Sequence, residues 1–159
     1  MNEYTIPFRE TEDDVIDNIL RRIRLTSHDL FMDIGCGNGI VLEKVAKQFP
    51  AVPCIGIEID PSFVSAANKR LEAYENVTIY NKDLRNMEWS ELPVVEGIVY
   101  CFIAWTNKYL EQFDFQQLGE TIVWISFKHE IPRKSFTEKL VSNYPYNTVY
   151  IYQPVARAL

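Results

Sequence analysis

Leu30-Phe31-Met32-Asp33-Ile34-Gly35-Cys36-Gly37-Asn38-Gly39 is the stretch that decides the fold. An apolar run with one acid comes first, then glycines at alternate positions. Ile40, Val41, Leu42, Val45, Ala46 and Phe49 follow at helical spacing. The pattern predicts a strand over about 30–34, a glycine turn, and a helix over about 40–49. Glycines admit positive φ and let backbone approach a ligand where a Cβ would collide. Such a turn aims backbone N–H groups at whatever lies over the helix N-terminus.

The spacing argues against two nucleotide loops. A dinucleotide fingerprint is Gly-x-Gly-x-x-Gly, and Ile40 stands where a further glycine would complete it. A phosphate loop needs Gly-Lys-Ser/Thr, and Asn38-Gly39-Ile40 offers neither lysine nor hydroxyl. Asp33 would repel a pyrophosphate but suits a ligand carrying an ammonium and a sulfonium. The stretch resembles the first motif of class I S-adenosylmethionine (SAM) methyltransferases, Asp/Glu-x-Gly-x-Gly-x-Gly. That resemblance implies SAM as cofactor. It also implies an α/β, Rossmann-like methyltransferase fold: a mostly parallel sheet, helices on both faces, and here an antiparallel C-terminal edge.

The flanking chain extends the pattern. Cys54 to Ile59 reads as a second strand, with Glu58 near its end and 23 positions after Gly35. An acid there accepts from the ribose hydroxyls of an adenosine. Asp60-Pro61 gives an N-cap and first-turn proline to a helix carrying Phe63, Val64, Ala67, Leu71 and Tyr74. Val77 to Tyr80 is a third strand, and Asn81-Lys82-Asp83-Leu84 follows in a loop. In SAM enzymes an acid at the place of Asp83 often binds the adenine amino group. A fourth strand is expected from about Val94 to Cys101, and Phe102 to Asn107 then falls beyond its carboxyl end. Open α/β sheets do their chemistry at such ends.

Two signatures are absent there. No Asn/Asp-Pro-Pro-Tyr/Phe of the nucleobase amino-methylating kind occurs. The Pro-Cys pair, Pro53-Cys54, begins the second strand at the wrong end of the sheet. A helix is expected to about 118, a strand over Thr121–Ser126, and another over Asn147–Tyr152. Lys139–Asn143 reads as a helix end or a strand, with a hairpin preferred through Tyr144-Pro145-Tyr146. Before the glycine stretch, residues 1–10 look extended. Thr11 then caps a helix carrying Val15, Ile16, Ile19, Leu20 and Ile23.

Length and composition fit one domain, 1–159, with 47% hydrophobic residues. The net charge of −6 predicts no bulk electrostatic grip on nucleic acid, a local patch excepted. The longest uncharged apolar run, Gly97 to Trp105, is far short of a membrane span. Cys36, Cys54 and Cys101 lack paired spacing, and the expectation is reduced, buried thiols and a cytoplasmic location. With His28 and His129 alone, no metal site is expected.

The likeness extends along the chain in order: Thr11-Glu12-Asp13-Asp14-Val15-Ile16, Asp33 to Gly39, Gly56-Ile57-Glu58-Ile59, Phe102 with Thr106-Asn107, and Asn147 to Tyr152. Together these resemble a family of very small protein-lysine methyltransferases, the archaeal broad-specificity enzymes and their mitochondrial relatives. The resemblance implies a cofactor site of Thr11, Asp33, Gly35, Gly37, Asn38, Gly39, Glu58, Ile59, Asp83 and Leu84. It also implies a catalytic end formed by Phe102, Trp105, Thr106 and Asn107, with a protein lysine as acceptor. Three places depart from the family: Glu10-Thr11 replaces Pro-Thr/Ser, Asn38 replaces an acid, and the segment at 102–107 is one residue longer. A small-molecule N- or O-methyltransferase, an RNA methyltransferase and a catalytically silent SAM-binding subunit stay open as alternatives.

Overall fold

The computed structural model describes residues 10–113, 115, 122–132, 138–144 and 147–153. The expected extended segment before residue 10 and the turn at Pro145-Tyr146 lie outside the described residues. The elements in order are α1 (Asp13–Arg22), β1 (Leu30–Ile34), α2 (Ile40–Gln48), β2 (Cys54–Glu58), α3 (Pro61–Leu71), β3 (Val77–Asn81), β4 (Val99–Ile103), α4 (Asn107–Gln112), β5 (Ile122–Phe127), β6 (Glu138–Tyr144) and β7 (Asn147–Gln153). Short 3-10 turns at Leu84–Asn86 and Trp89–Glu91 sit between β3 and β4.

The strands form one seven-stranded sheet, ordered β3-β2-β1-β4-β5-β7-β6. Strands β1 to β5 pair in parallel. Strand β7 runs antiparallel to β5, and β6 pairs antiparallel with β7 as the edge. Period-two alternation sorts the strand residues to two cores. Phe31, Cys54, Tyr100, Phe102, Val123 and Ile125 pack with Val15, Ile16 and Ile19 of α1 and Leu42 and Val45 of α2. Leu30, Met32, Ile55, Ile57, Cys101, Ile103 and Trp124 face the opposite way, under Trp105, Leu110, Phe115 and Ile131. Burial on both faces explains the near-continuous apolar runs of β1 and β4.

Three expectations are corrected. The fourth strand starts at Val99, not Val94, which is fully exposed. A clasp sets that start. Asp29, itself buried, accepts from Thr26 N at 2.8 Å, Thr26 Oγ1 at 3.0 Å and Ile98 N at 2.7 Å. Gly97 N donates to His28 O at 2.8 Å. A Cβ at position 97 would fall 2.2 Å from Asp29 Oδ1 and 2.7 Å from the His28 carbonyl oxygen. Gly97→Ala is therefore expected to lose about 2–3 kcal/mol, since crowding alone costs ~1–3 kcal/mol and the bonds to the Asp29 carboxylate would be strained as well. An unchanged midpoint in urea unfolding would show that the clasp does not set the register.

The other two corrections concern helices. The first N-cap is Glu12, without a side-chain bond, while Thr11 is buried beside the cleft described below. Helix α4 ends at Gln112, short of residue 118. Residues 139–143 lie in β6, so the hairpin is the alternative that forms.

Candidate active site

The strand order reverses between β1 and β4, so their carboxyl ends splay apart. A cleft of ≈ 840 Å³ opens there, near the upper end of the usual range for ligand sites. Gly35 of the glycine turn forms part of its floor. Gly35, Gly37 and Gly39 all have positive φ, at 81°, 54° and 84°. Gly35 N and Cys36 N both donate to Ile57 O, at 2.8 and 3.1 Å, tying the turn to β2. Gly39 answers a packing demand: a Cβ there would lie 2.8 Å from Leu71 Cδ1 of α3.

Glu58, at the end of β2, bridges two backbone segments. Its Oε2 accepts from Gly37 N at 2.9 Å, and its Oε1 from Asp60 N at 3.1 Å. Ile59 follows it, half-exposed on the cleft wall. Asp60 then caps α3, accepting from Ser62 N at 2.8 Å and Ser62 Oγ at 2.6 Å. Those bonds hold its carboxyl below the usual range.

Asp33 lies between Gly56 on β2 and Phe102 on β4 and is almost wholly buried. Burial, and secondarily the Glu58 charge, push its carboxyl up to about 8. It lines a small void of ≈ 30 Å³ behind the glycine turn, together with Thr11, Asn38, Phe102 and Ala104. Asn38 Nδ2 donates to Glu10 Oε1 at 2.9 Å, tying the turn to the segment before α1. Asp83 and Leu84 line the opposite wall. The Asp83 carboxylate already holds Arg85, through Arg85 N at 2.9 Å, Nε at 3.0 Å and Nη2 at 2.5 Å. These bonds lower its pKa.

At the far end, Ala104, Trp105 and Thr106 line the cleft just past β4. Trp105 packs edge-on against Phe113, with centroids 5.3 Å apart. Its Nε1 is buried with no hydrogen-bond partner among the described residues. Phe102 does not line the main cleft, though it borders the small void beside Asp33. Because β4 runs to Ile103, Phe102 falls inside the strand and belongs to the core under α1 and α2. Asn107 opens α4 and does not line the cleft. Among the expected cofactor residues, Thr11, Gly35, Glu58, Ile59, Asp83 and Leu84 border the main cleft. Sequence reasoning missed Tyr109, Phe113, Phe127, Lys128 and His129, which complete the far wall. The signal for the last three was the end of the fifth strand, by the same strand-end rule.

A glycine turn with its buried acid, an acid ending the second strand and a cleft at the switch point define a class I SAM-dependent methyltransferase. More narrowly, residues 3–148 match the family model described as ribosomal RNA adenine dimethylase, and the chain belongs to that family. It is similar to the probable ribosomal RNA small subunit methyltransferase A of Methanosarcina mazei, 31% identical over 54% of this chain and 31% of that protein. It is also similar to a protein-lysine N-methyltransferase of Saccharolobus islandicus, 24% identical over 64% of this chain and 62% of that one. The fold resembles that of an RNA methyltransferase from Salinibacter ruber in complex with S-adenosyl-L-homocysteine. The TM-score is 0.73 at 21% identity, covering 92% of this chain and 95% of that one. The match to the Methanosarcina mazei protein spans about a third of that protein's length. Thus the SAM methyltransferase expectation stands, while the family matched is the ribosomal RNA one and the lysine enzymes enter through a distant relative.

Proposed function

We propose that this chain transfers a methyl group from SAM to a nucleobase of RNA. The observation that carries the reading is the make-up of the far wall. Trp105, Tyr109, Phe113 and Phe127 supply aromatic surface, and Lys128 and His129 stand beside them. The carboxylates on the cleft come from elsewhere, from residues 10 and 12 and the ends of β2 and β3. A flat base stacks on aromatic faces, and basic side chains suit its phosphates. A lysine ammonium gains nothing from the Lys128 ammonium beside those rings, which weighs against the protein-lysine reading despite the Saccharolobus relative. Family membership supports the same choice.

The residues present fit the cofactor. The Glu58 carboxylate keeps lone pairs for ribose hydroxyls after accepting from Gly37 and Asp60. Asp33 is a buried carboxyl whose ionised form needs a cation, which the ammonium of SAM offers. Ile59 gives apolar surface to the adenine. Asp83 can serve the adenine amino group only by sharing its carboxylate with Arg85. SAM, when bound, supplies an activated methyl on a sulfonium. The chain's task is to hold the acceptor nitrogen in line with that methyl, and positioning can supply much of the rate. Thr106 lines the cleft past the end of β4 and its side chain does not cap α4, which supports a role for its hydroxyl in accepting from a base N–H. Covalent catalysis by a thiolate is disfavoured: Cys36, Cys54 and Cys101 are buried, and burial pushes all three thiols up, Cys54 to about 12.

Incubation with methyl-labelled SAM and separated RNA and protein pools tests the reading. The expected result is label that ribonuclease releases as a methylated nucleoside. Label recovered as methyl-lysine overturns it in favour of the protein acceptor. SAM binding without label in either pool points instead to the silent subunit.

A further inference from the structure

We propose that the turn Phe127-Lys128-His129 is a phosphate clamp, holding the backbone of the RNA strand next to the base being methylated. The inference rests on the RNA reading above and adds a site to it.

It starts from the backbone. Lys128 has φ 72°, the one non-glycine residue with positive φ among the described residues. A β-carbon disfavours that conformation, and glycine, asparagine or aspartate occupies it more cheaply. Strain of this kind persists where the surroundings over-determine it, and it collects at functional positions. The surroundings here do so. Lys128 N donates to Thr148 O at 2.7 Å, so β7 holds the turn from one side. Ser126 Oγ, wholly buried, donates to His129 O at 2.5 Å, so β5 holds it from the other.

What this fixed turn presents is charge. Lys128 is exposed, His129 half-buried, and both line the cleft. Among the described residues no carboxylate lies within ion-pair distance of either side chain. The other lysine of the cleft differs, since Lys82 is bound to Glu91. Lys128 Nζ sits 5.1 Å from the centroid of the Phe127 ring, so cation and aromatic face are neighbours. A nucleotide has the same two parts, a phosphate beside a flat base. In a chain of net charge −6, general attraction cannot hold RNA, so a fixed local cation has to do it.

The test uses Lys128→Asn, which removes the charge yet tolerates positive φ, with Lys128→Arg as the conservative control. The probes are single-stranded RNA oligonucleotides of several sequences, titrated across a salt series, with SAM affinity measured alongside. For Lys128→Asn we expect RNA binding about 5- to 10-fold weaker at low salt and by the same factor for every sequence. The slope of log affinity against log salt should fall by ~0.7, as for one lost phosphate contact on a single strand. SAM affinity and folding should be unchanged, and Lys128→Arg should bind as wild type. Wild-type slope and affinity in Lys128→Asn, with wild-type protein binding and methylating RNA, overturn the clamp and leave the RNA reading standing. Wild-type protein that binds no RNA overturns both.

Discussion

Asp33→Asn is expected to weaken SAM binding by two orders of magnitude or more while removing a pH-dependent liability from the free protein. The Asp33 carboxyl titrates near 8 in the folded chain, chiefly because it is buried and secondarily because Glu58 is charged. In the unfolded chain it titrates near ~3.9. Between those values the folded protein binds a proton that the unfolded chain has released. Stability therefore falls as pH rises from ~4 to about 8, and above that the full cost is present. The asparagine variant lacks this slope. Relative to wild type it should gain stability from ~pH 5 to about pH 8 in urea unfolding and level off above that.

Binding should move the other way. A carboxylate kept in so unfavourable a place is useful if a cation joins it. Removing one member of a buried pair costs about 3–5 kcal/mol, which corresponds to a loss of more than a hundredfold in Kd. Calorimetric titration at one pH and unfolding at three decide the matter. Wild-type affinity in the variant, or a stability difference that does not move with pH, removes Asp33 from the cofactor site.

What was legible in the sequence was local. Strands β1 and β2 and helices α2 and α3 lie within about a residue or two of expectation at their starts, because apolar period, glycine turn and Asp60-Pro61 cap all act within a few positions. What was not legible depended on distant partners. The start of β4 is set by Asp29, which is 69 residues from Ile98 in sequence, and the strand runs past Cys101 to Ile103, so Phe102 lies within it, against the core and the small void beside Asp33. The turn at Lys128 carries no glycine to announce it, since its positive φ is imposed by Thr148 on β7. Asp83 lines the cleft, but its hold on Arg85 needed side-chain geometry. The choice between helix end and strand at 139–143 rested on pairing with β7, which a single sequence does not display.

Glu58→Ala should also lower SAM affinity at least a hundredfold, and for more reasons than lost ribose contacts. The carboxylate anchors Gly37 of the turn through one oxygen and Asp60 at the start of α3 through the other. Bonds to a charged group contribute ~1.5–3 kcal/mol each, so truncation loosens the floor of the cleft as well as removing the ribose acceptor. Glu58→Gln separates these effects. It keeps one acceptor oxygen but loses the charge, and the charge is what adds to burial in raising Asp33. In Glu58→Gln the stability loss assigned to Asp33 should therefore finish at a lower pH than in wild type. The two sites should also be coupled: Asp33→Asn should relieve less pH-dependent instability in the Glu58→Gln background than in wild type, giving a non-additive cycle. Calorimetry on Glu58→Ala, and unfolding across pH for the four members of the cycle, supply the readings. Affinity within twofold of wild type in Glu58→Ala would show that the strand-end acid serves only the turn. Strict additivity would show that the two carboxyls, though both near the glycine turn, do not sense one another.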